Sequence, residues 1–126
     1  SKGIRAFREI EKPSNIHFFK NMLPEDFLKI LFNGRCVVGN SSVGIRESSF
    51  LGVPAVNIGD RQAGRERGLN AIDVPHDRRQ IADAIKHHLG NGKLQRDTMY
   101  GDGQAGTRIA DLLSRVPLEI EKALTY

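Results

Sequence analysis

A single cysteine, Cys36, stands among 126 residues, so no internal disulfide can staple this chain. Its apolar neighbours Val37 and Val38 mark it as a buried thiol in a strand rather than a nucleophile. No apolar run approaches the ~20 residues a bilayer span needs, and the amino-terminal SKGIRAFREIEKP lacks the apolar core of a secretory signal. A soluble, cytoplasmic protein with no membrane partner is expected. Dense basic clusters are missing too. The net charge of +4 and isoelectric point near 9.5 admit a nucleic-acid partner, but acids interrupt the basic residues in RERG and DRRQIAD. The six Phe and two Tyr do not interleave with a basic stripe, and a small anionic ligand explains the charge balance equally well. No metal-ligand cluster is visible. His87 and His88 adjoin on a helix and diverge, His76 lies in a turn and His17 in a strand, so none is assigned a metal or catalytic role.

What is present is 39% hydrophobic and 27% charged, within the range of one globular domain with a modest core. No repeat or low-complexity tract interrupts it. Short β-type apolar runs alternate with helix-spaced stripes, the pattern of βα units around a parallel sheet. A first helix over 3–11 ends before Pro13, and residues 15–19 (NIHFF) read as a strand. Pro24 starts the next helix with Glu25 and Asp26 at its positive end; Phe27, Leu28, Leu31 and Phe32 form its apolar face and Gly34 stops it. Strands follow at 35–39 (RCVVG), 54–58 (PAVNI) and 70–74, with a helix over 42–51 that ends at Gly52. Asp77 and Gln80 make a capping box for a helix ending near Gly90, with Ile81, Ala82, Ile85 and Leu89 toward the core. A helix from about Asp102 carries Ile109, Leu112 and Leu113 on one side, and a short one follows Pro117. Residues 91–98 fit no element.

Two segments carry chemistry. Asn40, Ser41 and Ser42 stand between the end of a strand and the start of a helix, where free backbone N–H groups, the helix dipole and two hydroxyls suit an anion. Gly44 allows close backbone approach. The plainer account is a serine helix cap, and spacing alone favours it. Glu47, about one and a half helical turns on from Ser42, is placed to accept hydrogen bonds from a ribose diol, or else to sit solvated beside Arg46. Arg61, Gln62, Arg65, Glu66 and Arg67 follow a second strand end, where an arginine can grip a diphosphate or merely pair on the surface. Two successive strands deliver phosphate-compatible groups to one sheet edge, and that coincidence tips the balance toward phosphate binding.

The run from Gly39 to Gly68, GNSSVGIRESSFLGVPAVNIGDRQAGRERG, with YGDGQAGTRI from Tyr100 to Ile109, resembles the carboxy-terminal half of hydrolysing UDP-N-acetylglucosamine 2-epimerases. The likeness covers nearly the whole chain. It implies a Rossmann-like α/β fold, a parallel sheet with flanking helices, as part of the carboxy-terminal domain of a glycosyltransferase B-type enzyme. It also implies that Ser41 and Ser42 hold the diphosphate, Glu47 the ribose, Arg61 a further part of UDP, and Lys20 to Met22 the uracil, largely through backbone groups. The implied reaction removes the C2 proton of the sugar, eliminates UDP and adds water to release N-acetylmannosamine for sialic acid synthesis. No cofactor is implied. The small-molecule partner is UDP-GlcNAc or UDP, and the full-length protein is expected to be a homo-oligomer.

On this resemblance residues 1–126 are part of a carboxy-terminal UDP-binding domain, and the amino-terminal domain with its acid and base carboxylates lies outside the chain. So does a histidine-bearing opening strand. A strand order of 3-2-1-4-5-6 puts two further strands between NIHFF and RCVVG, so NIHFF is expected either to sit apart or to pair with a foreign neighbour. The chain alone is expected neither to turn over nucleotide sugar nor to fold tightly. Two other readings stay open: a non-hydrolysing epimerase that yields UDP-N-acetylmannosamine, and a non-catalytic nucleotide- or nucleic-acid-binding module.

Overall fold

The computed structural model describes residues 2–12 and 14–117. Its centre is a three-stranded parallel sheet of β1 (Val37–Gly39), β2 (Ala55–Ile58) and β3 (Ala71–Val74), in the order β1-β2-β3. The register pairs Val38 with Val56 and Val56 with Ile72. Parallel strands need crossovers, and helices supply the cover on the sheet. Helices α1 (Lys2–Glu11) and α2 (Pro24–Asn33) precede the sheet, α3 (Glu47–Leu51) joins β1 to β2, and α4 (Arg78–Asn91) and α5 (Ala105–Arg115) follow it. The expected α/β, Rossmann-like layering is thus observed. No helix among the described residues is long and apolar enough to cross a membrane.

One core layer joins α4 to the sheet. Val56, Val74 and Ala84 are buried together, with Cys36, Ile58, Ile72, Ile81 and Ile85 packed around them. Burial raises the Cys36 thiol above its ordinary pKa, against a hydrogen bond at Val56 that lowers it, which suits a packed thiol. Asp77 caps α4 by accepting from the Gln80 amide at 2.8 Å. The helix runs to Asn91 rather than Gly90, and the buried positions are Ala84 and His88 while Leu89 is exposed. The 3.6-residue period places 81, 84, 85 and 88 on one stripe, leaving Leu89 beside it.

A second layer lies under the β1-to-β2 crossover, where Ile45, Val53, Ser48 and Ser49 are fully buried. Asn70 organises it: its amide Nδ2 donates to the Gly44 carbonyl at 3.2 Å, the Ser48 hydroxyl at 3.0 Å and the Val53 carbonyl at 3.0 Å. This breaks the helix expected over 42–51. In a continuous α-helix the Gly44 carbonyl would serve the Ser48 amide, whereas here it serves Asn70, and the segment divides into a 3-10 turn (Ser42–Gly44) and α3. Gly52 ends α3 in the left-handed conformation, φ +66°, hard against the Leu94 carbonyl.

Residues 15–19 form no strand, and Ile16, Phe18 and Phe19 are exposed. Strand backbone groups need a partner edge, and none among the described residues pairs with this run. It sits apart, the first of the two outcomes expected for it. Of residues 91–98, unassignable from sequence, Asn91 closes α4 and 92–98 act as a strap over α3. The Leu94 amide donates to Gly52 at 2.9 Å and the Asp97 amide to Ser49 at 3.1 Å, while the Arg96 guanidinium lies 3.6 Å from the Phe50 ring centre. Helix α5 begins at Ala105 rather than near Asp102, because Asp102 is spent before it, accepting from the Gln104 amide and pairing with Arg108. The helix expected after Pro117 lies outside the described residues.

Candidate functional site

Parallel sheets present their ligands beyond the carboxyl ends of the strands. At that edge β1 runs through Gly39 into Asn40, Ser41 and Ser42, and β2 runs through Gly59 into the loop that holds Arg61. Ser41 caps the 3-10 turn, its hydroxyl accepting from the Val43 amide at 3.4 Å, so the plain capping role is real. That bond is long, and the exposed hydroxyl keeps acceptor and donor capacity. A three-residue turn followed by a five-residue helix carries little dipole compared with the single helix expected here. The groups at this edge that could hold an anion are therefore hydroxyls and a guanidinium more than a dipole.

Arg61 supplies the guanidinium. It is exposed, and one nitrogen reaches the Asn40 side-chain oxygen at 3.5 Å, which brings the loops after β1 and β2 together. Arg67 is committed elsewhere. Its Nε donates to both carboxylate oxygens of Asp73, at 3.0 and 3.3 Å, and its other nitrogens donate to the carbonyls of Gln62 and Arg65. Of the arginines in this loop, Arg61 and Arg65 are exposed at the surface and Arg67 is a structural brace.

Glu47 is the first residue of α3, and it lines a pocket of about 440 Å³ with Leu28, Arg46, Phe50, Leu51 and Tyr100. Its Oε2 is buried with no hydrogen-bond partner among the described residues. A buried carboxylate oxygen left unsatisfied is costly. Tyr100 closes one side of this pocket and donates its hydroxyl to the Glu66 carbonyl at 2.8 Å. Sequence reasoning assigned Tyr100 no role; the glycine-rich turn YGDG just before α5 was the available signal.

Met22 stands in a different place. With Phe19, Lys20, Asn21, Phe27 and Ile30 it lines a separate pocket of about 470 Å³. Leu28 faces the Glu47 pocket whereas Phe27 and Ile30 face the Met22 pocket, so α2 divides the two. The structure thus brings Ser41, Ser42 and Arg61 to one sheet edge, sets Glu47 five residues further along the same segment, and leaves Met22 across a helix.

A family model described as UDP-N-acetylglucosamine 2-epimerase matches residues 2–114, which include every one of these groups. The chain belongs to the UDP-N-acetylglucosamine 2-epimerase family. Among curated relatives of the family, a UDP-N-acetylglucosamine 2-epimerase of Neisseria meningitidis serogroup B is 34% identical over 99 residues, 76% of this chain and 26% of the relative. A UDP-N,N'-diacetylbacillosamine 2-epimerase (hydrolyzing) of Legionella pneumophila is 34% identical over 104 residues, 82% of this chain and 28% of the relative. A polysialic acid biosynthesis protein of Escherichia coli is 38% identical over 74 residues, 59% of this chain and 19% of the relative. The chain spans about a quarter of the length of the first two relatives, 26% and 28%.

Proposed function

We propose that this chain is the UDP-holding part of a hydrolysing UDP-GlcNAc 2-epimerase, which turns UDP-GlcNAc and water into N-acetylmannosamine and UDP for sialic acid-type sugar synthesis. The observation that carries the reading is Glu47 itself, which lines a pocket a few residues beyond the Asn40–Ser42 loop and whose Oε2 is buried with no partner among the described residues. A ribose diol would complete that carboxylate, and a diphosphate on the ribose would extend toward the Ser41 and Ser42 hydroxyls and Arg61. The Lys20–Met22 loop, expected at the uracil, lines a separate pocket across α2 and is left out of this placement of the nucleotide.

In this reaction the sugar loses its C2 proton and the C1–O bond breaks, leaving both electrons on the UDP oxygen. Arg61 and the serine hydroxyls would stabilise the charge that develops on that leaving group. Water then adds to the unsaturated sugar. The carboxylates that move protons belong to an amino-terminal domain outside residues 1–126, so the chain alone holds UDP without turning over its sugar. The whole enzyme is read as a cytoplasmic homo-oligomer. The GNSS and RQAGRERG wording and the word hydrolyzing in the name of the Legionella relative support the hydrolytic outcome. The alternative, epimerisation that retains UDP on the sugar, is separated by product analysis of the full-length enzyme.

Calorimetric titration of the chain with UDP tests the reading. Saturable binding is expected, weakened about tenfold by Glu47→Gln, the order of one charge-assisted hydrogen bond. Tight oligonucleotide binding with a steep salt slope and no UDP response would replace it with a nucleic-acid module.

A further inference from the structure

We infer that Gln62 and Arg67 are positioning residues that set the phosphate-holding loop, although neither is free to grip a ligand as Arg61 is. Gln62 is 4% exposed and its Nε2 donates to the Asn40 carbonyl at 2.8 Å. The Gln62 carbonyl accepts from Arg67 at 2.7 Å, Arg67 pairs with Asp73 on β3 at 3.0 Å, and Asp73 accepts from Asn57 on β2 at 2.5 Å. One line of polar contacts therefore ties together the carboxyl ends of all three strands.

The first link has a consequence for the loop. The Asn40 carbonyl and the Ser41 N–H belong to one peptide plane and point in opposite directions. Gripping the carbonyl therefore turns the Ser41 amide away from Gln62, and polarises it as a donor. Gln62 also leaves its Oε1 buried without a partner, a desolvation cost that an apolar side chain of similar size would avoid. A residue that only filled space would not need that amide. Its donor is what the Asn40 carbonyl uses. Arg67 holds the backbone from which Gln62 projects, and its planar fork engages Asp73, Gln62 and Arg65 together, which a lysine could not do.

The inference deepens the nucleotide reading and rests on it for the identity of the ligand. In Gln62→Met and Arg67→Lys chains that stay folded, UDP affinity is expected to fall about tenfold while uridine affinity stays within about twofold. The double variant is expected to weaken UDP no further than the stronger single change, because the two act through one contact. The Ser41 amide resonance, read by NMR without ligand, is expected to move upfield in Gln62→Met, because its own peptide carbonyl loses a hydrogen bond. Equal losses for UDP and uridine, or unchanged UDP affinity in a folded Gln62→Met chain, would overturn the inference. If the parent chain ignores UDP, the nucleotide reading fails by itself, and an unchanged Ser41 amide resonance then overturns the positioning role of Gln62 independently. Should Gln62→Met not fold, Arg67→Lys carries the same comparison.

Discussion

The sheet with its crossover and the two outer helices are made from similar amphipathic sequence, yet they meet opposite fates. Ile45, under the β1-to-β2 crossover, is 0% exposed; Leu112, on the apolar stripe of α5, is 62% exposed. Helix α1 behaves like α5, with Ile4, Phe7 and Ile10 on its surface and no buried residue in either helix. A helical period organises a stripe but does not cover it. Cover comes from a second surface: α4 and the crossover bury residues against the sheet, whereas α1 and α5 bury none.

The contrast can be broken most severely at its packed end. Ile45→Ala removes a fully buried side chain under the crossover and is expected to cost about 2–5 kcal/mol in urea denaturation. A loss below about 1 kcal/mol would mean that this layer is less packed than its geometry.

A smaller effect is expected at His88, whose Nε2 donates to the Ala55 carbonyl at 3.1 Å and anchors α4 to the start of β2. Burial holds its imidazole below its ordinary pKa, with the nearby His87 acting the same way and the Ala55 hydrogen bond opposing both. The unfolded chain then binds more protons between the folded pKa and about 6.5, so stability is full above about pH 6.5 and declines on acidification below it. The Asp102 carboxylate, held low by Arg108, matters only at lower pH, when it protonates. His88→Asn is expected to lose about 1–3 kcal/mol near neutrality and to flatten the denaturation midpoint between about pH 7 and 5.5. A parent chain with no slope in that range would count against the buried neutral imidazole.

The smallest effect is expected on the uncovered stripe. Leu112→Ser should change stability by under about 0.5 kcal/mol, since it removes little buried surface. A loss comparable to that of Ile45→Ala would show α5 to be covered in solution.

Much of the central block was legible from local chemistry. Pro24, the Asp77 cap and Gly52 each mark a boundary with groups only a few residues away, and the observed elements respect all three. NIHFF has the right alternation for a strand but no edge to join among the described residues. The break between Gly44 and Glu47 was invisible because its cause, Asn70, lies 26 residues away. At the site, Ser41, Ser42 and Arg61 were readable as a shared sheet edge. Arg67 was one of three arginines in a loop where an arginine could grip a diphosphate, until Asp73 and the Gln62 carbonyl accounted for its donors. Tyr100 went unread because the carbonyl it meets is 34 residues away.

Period, caps and turn residues, which act within about one helical turn, by themselves determined the parallel α/β order and the phosphate-compatible character of Asn40–Ser42 and Arg61. The tertiary structure decided which of those groups remain available. It paired Arg67 with Asp73, left Arg61 exposed, and buried one oxygen of Glu47 with no partner among the described residues. Those outcomes depend on burial and on hydrogen-bond partners distant in the chain, which only folding brings within reach.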